Sequence, residues 1–458
     1  MSPRLSRCSS AWPTWIRSSL PNPSTTSSSP SPSSSPTRFI QMPPPRDDPL
    51  PRGIYNSQSD LCPNPERPSF FWRNASHQTL LLVGAAARFF LYGLNDTTVN
   101  GLPRFLELLK SRSDYKTRQR GLLTVSNHIS VLDDPIIWGV LPMSFHAYYG
   151  YMNHRWTFGS HDICFKSNPR SHFFTLGQVL PTHRSAYSPH GGPFQATMTE
   201  GIRLLSRIST EKPSLRFFDS PRRAGNSYVP SWPRDIVDPF SDLSPAPSYP
   251  SYPSDVRWYH SPSRYASNSY SWVHIFPEGM IHQTPDDAYT MRYFKWGVAR
   301  LILEPAECPD VVPMFIEGTD KVMHETRTFP RFLPRIGKKI TVTFGKELDV
   351  EATFGDLRKR WRELRDADTK AQGFIPDSEQ DSWNDLARGV VTESLAHHPD
   401  AISLRIECTR RIRDAVLEVR RSREYPDEDP KNGAVETWLR EGPKREGKME
   451  DGSWVKEG

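Results

Sequence analysis

The chain has 458 residues, 44 of them proline, with a hydrophobic fraction of 36% and a net charge of +6. So proline-rich and polar a composition excludes a chain folded from end to end, and implies one apolar globular part diluted by segments of low complexity. Five scattered cysteines, never spaced C-x-x-C, exclude a disulfide framework and a zinc site, and the mild basic excess suits an anionic membrane surface or an ordinary solvated face.

Nucleic acid is not expected as a partner, because the basic residues form no zinc-spaced or aromatic-interleaved motif. No metal and no cofactor are expected either.

Residues 1–70 are rich in Ser and Pro and are expected to be disordered. Arg4, Arg7, Arg17, Arg38 and Arg46 all precede the first acid, Asp47. That is the composition of a mitochondrial transit peptide, although the prolines interrupt the amphipathic helix such a signal needs. Thr79 to Leu94 follows as a strongly apolar run. It falls short of the roughly 20 residues that cross a bilayer, and Arg88 interrupts it. Residues 71–100 are therefore expected to associate with a membrane without spanning it. A helix there would lie in one leaflet, with Trp72 and Tyr92 at headgroup depth and Arg88 snorkelling; the alternative is a buried helix of the domain.

From Gly101 the pattern alternates. Pro103 to Ser111 reads as a helix with Phe105, Leu106 and Leu109 on one face, and Leu122 to Val125 as a short buried strand. Pro135 opens a helix to Leu141. Gln178 to Leu180 reads as a strand and Phe194 to Ile208 as a helix. Residues 209–270, rich in Ser, Pro, Arg and Tyr, read as a disordered insertion, since motifs of one domain lie on both sides. Order resumes with a strand at Val273 to Phe276, a helix from Tyr289 to Leu303 and a strand at Val311 to Ile316. Pro313 marks that strand as edge-like or bulged. Lys339 to Phe344 alternates as a further strand. The expected fold is α/β: a single domain over 71–350, with a mixed, largely parallel sheet flanked by helices. A helical extension over 351–423, with one helix from Ala401 to Arg421, and a charged, disordered tail over 424–458 complete the chain.

Two loops carry chemistry. In Asn127-His128-Ile129-Ser130-Val131-Leu132-Asp133-Asp134-Pro135 a histidine leaves an apolar strand and an aspartate follows five residues later. An imidazole titrates near neutral pH and can take a proton from an attacking hydroxyl. Asp133 would hold the other ring nitrogen, fixing the tautomer. Five residues along a straight helix leave two side chains far apart around the axis, so the loop must fold back. The competing reading is that Asp133 or Asp134 merely caps the helix that Pro135 opens. Phe276-Pro277-Glu278-Gly279 ends a second strand, where ligands of open α/β sheets bind, and Glu278 would accept from a substrate hydroxyl. Arg184 follows a strand and suits a lipid phosphate. Cys164 reads as a buried small residue. Ser130 lacks a nucleophile elbow.

The order His-x-x-x-x-Asp, Arg, Phe-Pro-Glu-Gly, then proline within an apolar strand, resembles the glycerolipid acyltransferase superfamily. Asp162 to Lys166, Ser171 to Gly177, Trp272 to Gly279, Arg292 to Gly297 and Pro334 to Val342 bring the chain close to the tafazzin family within it. The resemblance covers residues 70–208 and 271–350. It implies a mitochondrial, monotopic phospholipid–lysophospholipid transacylase, independent of coenzyme A, that remodels cardiolipin from monolysocardiolipin and faces the intermembrane space. His128 and Asp133 are then catalytic; Asn127, Ser130, Arg184, Phe276, Pro277, Glu278 and Gly279 bind substrate. Ile129 and Met280 depart from the residues usual in that family. The rival readings are an acyl-CoA-dependent lysophospholipid acyltransferase and a non-catalytic protein that binds anionic lipid.

Overall fold

The computed structural model describes residues 70–165, 167–184, 191–207, 269–284, 288–327, 329–330, 332–371, 391–439, 447–448 and 454–455. The expectations for residues 1–69 and for most of the 209–270 insertion lie outside them.

Seven strands make one sheet: β1 Asp96–Asn100, β2 Leu122–Ser126, β3 Arg155–Ser160, β4 Val179–Thr182, β5 Trp272–Ile275, β6 Asp310–Glu317 and β7 Lys339–Phe344. Their order is β1-β7-β6-β2-β5-β3-β4. Every pairing is parallel except β6 with β7, so β6, β2, β5, β3 and β4 run one way and β1 and β7 the other. The α/β fold with a mixed, largely parallel sheet is therefore as expected. β2, buried at all five positions, reads as the continuous apolar run that a strand covered on both faces requires.

The helices are α1 Phe70–Leu94, α2 Leu102–Ser111, α3 Asp133–Ile137, α4 Met143–Tyr148, α5 His161–Cys164, α6 Asn168–Leu176, α7 Ala196–Leu204, α8 Gly297–Leu303, α9 Thr319–Val322 and α10 Val350–Ala371, followed by Glu393–His397, Pro399–Arg421 and Val435–Leu439. α1 packs against α3, α4, α6 and the Trp138–Val140 turn. α7, α8, α10 and the helix Pro399–Arg421 form a second group, the last of them against β6. Phe354, Trp361, Leu404, Ile412 and Val416 share one apolar core with β2, β5 and β6. The helices Val350–Ala371 and Pro399–Arg421 are thus built onto the same core as the sheet.

Several expectations change. α1 is 25 residues long and buries Ser76, Leu80, Gly84, Ala87 and Leu91, the stripe that a 3.6-residue period brings to one side. A methyl group at Gly84 would lie 2.7 Å from the His146 ring, so glycine lets α4 approach. Arg88 does not snorkel: its Nη1 donates to the carbonyls of Gly139, Val140 and Leu141 at the end of a helical turn. Among the described residues no helix is long and apolar enough to cross a membrane.

β6 is central, not an edge. Pro313 sits opposite Val125 of β2, and its carbonyl accepts from Gly345 N–H just beyond the end of β7. A proline has no donor for a ladder bond, and Pro313 faces the β7 side where that strand has already ended at Phe344. The helix expected from Tyr289 begins only at Gly297. Carboxylates take the amides upstream: Met291 N–H donates to Glu428 and Arg292 N–H to Glu278. Residues 424–439, expected to be tail, also pack. Glu428 is buried against Arg413, and Tyr425 Oη donates to Glu317.

Candidate active site

The five co-directional strands deliver the candidate residues at their C-terminal ends: His128 after β2, Phe276 to Gly279 after β5, Thr319 after β6, Asp162 after β3 and Arg184 after β4. This is the edge at which open α/β sheets hold ligands.

After β2 the chain turns so that Asp133 N–H donates to Ser130 C=O and α3 begins at Asp133. The fold-back needed to bring His128 to Asp133 is this turn. Nδ1 of His128 lies 2.9 Å from Oδ2 of Asp133. The same oxygen accepts the amide protons of Ile129 at 2.7 Å and Ser130 at 2.9 Å. Oδ1 accepts from the Thr319 hydroxyl. Asp133 is wholly buried, while the His128 side chain keeps 21% of its surface exposed. Nε2 of His128 has no hydrogen-bond partner among the described residues. A carboxylate accepting at Nδ1 selects the tautomer with the proton there, which leaves Nε2 as an outward acceptor. The helix-capping reading fails: Leu132 is the N-cap, no side chain caps α3, and Asp133 is spent on the His128 loop. Asp134 instead binds Arg155 and the Trp138 indole N–H, tying α3 to β3.

The loop after β5 braces this turn. Gly279 N–H closes onto Phe276 C=O, and Gly279 takes a φ of 65°, which glycine adopts without strain. Phe276 lies against the imidazole of His128, ring centres 4.4 Å apart and planes 26° from parallel. Beneath it His274 meets Phe276 edge-on; burial drives the His274 pKa down to about 3, so it is a neutral core histidine.

Glu278 departs from the role expected of it. It is buried, with Oε1 accepting His128 N–H and Oε2 accepting Arg292 N–H, each at 2.9 Å. Both oxygens serve the backbone and none is turned to a ligand. Burial raises its pKa to about 7, against the pull of those two amides and of His128. Two more bonds join the loops: His282 N–H donates to His128 C=O, and Gln283 Nε2 to Ile129 C=O.

Asn127 and Ser130 also lie inside the fold rather than on a substrate surface. Asn127 exchanges both hydrogen bonds with the backbone of Ile316 on β6. Ser130 is buried in the turn, where its hydroxyl meets Leu132 N–H. Neither type nor spacing signals burial, which is why sequence assigned both to substrate. Pro277 is buried as well, and its carbonyl accepts Lys295 N–H. Arg184 forms a two-pronged pair with Asp162, both partly exposed, at the far strands of the sheet. Burial pushes the Cys164 thiol up to about 12, so it is no thiolate nucleophile.

No family model matches the chain. Over 384 residues it is 33% identical to a tafazzin of Saccharomyces cerevisiae, covering 82% of this chain and 85% of that one. The chain belongs to the tafazzin family. It is also 26% identical to a tafazzin of Drosophila melanogaster over 381 residues, 81% of this chain and 78% of that one. An N-acylphosphatidylethanolamine synthase of Arabidopsis thaliana is 24% identical over 279 residues, 59% and 70% of the two chains. A solved 1-acyl-sn-glycerophosphate acyltransferase from Thermotoga maritima is similar at 13% identity and a TM-score of 0.30, over 66% of this chain and 81% of that one.

This tafazzin-family acyltransferase also carries residues that the sequence did not single out. Thr319 is one; a lone threonine after a Gly has no pattern to mark it. Tyr289 is another: its hydroxyl donates to Asp320 and accepts from Gly318 N–H, fixing the start of α9. Arg413 and Glu428 hold the Met291–Arg292 backbone that in turn holds Glu278.

Proposed function

We propose that the protein is a phospholipid–lysophospholipid transacylase in which His128 is the general base. The observation that carries this reading is the orientation of one imidazole: Nδ1 is tied to a buried Asp133, and Nε2 is left to meet a ligand. The free hydroxyl of a lysophospholipid gives its proton to Nε2 as its oxygen attacks the ester carbonyl of a second phospholipid. The tetrahedral intermediate collapses with cleavage of the original C–O bond, and the imidazolium returns the proton to the departing oxygen. One ester is made and one is broken, so no thioester is needed to drive the exchange. Asp133 stabilises the imidazolium. General-base assistance of this kind supplies about 10²- to 10⁴-fold in rate.

Membership of the tafazzin family supports lipid substrates. Monolysocardiolipin as acceptor, cardiolipin as product and a mitochondrial membrane facing the intermembrane space are the narrower reading, in keeping with the arginine-rich, acid-poor start of the chain. For Arg184 to hold the acceptor phosphate it must exchange its partner Asp162 for it.

The test is purified full chain with acyl-labelled phosphatidylcholine and unlabelled monolysocardiolipin, in detergent micelles and without coenzyme A. Label appearing in cardiolipin supports the proposal. Transfer from acyl-CoA alone identifies the rival lysophospholipid acyltransferase. Lipid binding with no transfer from either donor overturns the enzymatic reading.

A further inference from the structure

Between Glu325 and Glu347 the chain carries no acid but has Arg327, Arg331, Arg335, Lys338, Lys339 and Lys346. Within this stretch the described residues display large apolar side chains. Phe329 is 88% exposed, Phe332 76%, Leu333 50% and Ile336 59%. Single exposed apolar residues are ordinary on protein surfaces; four within eight positions are not.

The segment is anchored at both sides. Arg335 N–H donates to Val322 C=O at the end of α9, Gly337 N–H to Leu94 C=O and Lys338 N–H to Asn95 Oδ1. The last two bonds set it against the end of α1, where Phe89, Tyr92 and Leu94 are exposed as well. The first ties it to α9, whose leading residue Thr319 holds Asp133. Upstream, Glu325 N–H donates to Gln283, which reaches Ile129 beside His128. The apolar surface is therefore fastened to the elements that build the candidate active site.

We infer that Phe329, Phe332, Leu333 and Ile336, continued by the exposed end of α1, are the surface by which this protein docks on a bilayer containing anionic lipid. Aromatic and aliphatic side chains in a stretch whose cations outnumber the neighbouring Asp96, which pairs in register with Lys339, match an anionic interface, the apolar groups entering the acyl boundary and the cations meeting headgroups. A lipid surface is the chosen occupant because of that charge pattern and because the lipid substrates of the proposed function would be drawn from it. The sequence left α1 as either a helix in one leaflet or a buried helix of the domain; here its inner stripe belongs to the core, and only its outer stripe is available.

Vesicle co-sedimentation of the full chain tests this, with equimolar phosphatidylcholine and phosphatidylglycerol against phosphatidylcholine alone. The double substitution Phe329→Ser with Phe332→Ser should weaken binding to the anionic vesicles by on the order of 10-fold or more. Phe71→Ser, at the other end of α1, should change it less than two-fold. Transacylation in detergent micelles should survive the double substitution. Unaltered vesicle binding by the double variant overturns the inference, as does conversion of a dimer to a monomer with vesicle binding intact. Failure of wild-type transacylation in micelles overturns the proposed function instead and leaves the binding result to stand by itself.

Discussion

Oδ2 of Asp133 accepts three hydrogen bonds at once, and the one to Nδ1 of His128, at 2.9 Å, shares it with two amides of the intervening loop. The carboxylate that orients the imidazole is thus also what folds the loop. Removing its charge strikes both. Asp133→Asn should lower kcat by about 10²- to 10⁴-fold, with KM changed only a few-fold, because an amide nitrogen turned to His128 selects the wrong tautomer. Steady-state kinetics on micellar lipid would check the split; a loss confined to KM would place Asp133 in binding.

Thr319 secures the other oxygen of the same carboxylate. Thr319→Val leaves Oδ1 buried without its donor and lets the carboxylate rotate, an effect of about 1–3 kcal/mol. The expected outcome is a fall in kcat of roughly 10-fold, restored by Thr319→Ser. In an Asp133→Asn background the valine should cost little more, since the two residues act as one unit. Full additivity would separate them.

Glu278 makes a pH prediction whose sign follows from burial. Its carboxyl has a folded pKa of about 7, above the ordinary 4.5. Below 4.5 it is protonated in both folded and unfolded chains, and its contribution to stability is fully present. Between 4.5 and 7 the unfolded chain ionises first, so that contribution, about 3 kcal/mol in all, is lost as pH rises. Urea unfolding across this range should show a decline that Glu278→Gln flattens, although the variant starts lower for want of one amide acceptor. Parallel curves for the two proteins would contradict the assignment.

Glu428 and Arg413 extend the brace to the C-terminal segment. Breaking a buried pair from one side typically costs about 3–5 kcal/mol. Glu428→Gln should therefore lower the urea midpoint and, by loosening Met291 and Arg292, reduce kcat at denaturant levels well below global unfolding. Activity that tracks the global transition would show that the segment supports only the fold.

How legible was this in the sequence? Strands β2, β4, β5, β6 and β7, the two chemical loops and the proximity of His128 to Asp133 were readable, because apolar runs ending in turn residues reflect local physics; β3, Arg155–Ser160, was not. Roles inside the loops were not. Glu278, Asn127 and Ser130 look like ligands by type, yet Glu278 and Asn127 spend their polar atoms on backbone groups brought close only by the fold, and Ser130 spends its hydroxyl inside its own turn. The stretch from Tyr289 to Trp296 carries helical spacing, but two distant carboxylates compete for its amides and win. β1, the short Asp-Thr-Thr-Val-Asn segment, has too few apolar residues to signal a strand; its pairing with β7 makes it one. α10 falls in the stretch expected to be helical, but its bounds, marked by Val350, Phe354, Leu357 and Trp361 spaced by four, three and four, are hidden beneath its many charges.

The most direct test of the central claim replaces the imidazole itself. His128→Ala, assayed beside wild type for acyl transfer from labelled phospholipid to monolysocardiolipin without coenzyme A, should lose about 10²- to 10⁴-fold in kcat while its unfolding transition stays close to that of wild type. Transfer at the wild-type rate would mean that the proton leaves the attacking hydroxyl by another route, and that His128 is not the base.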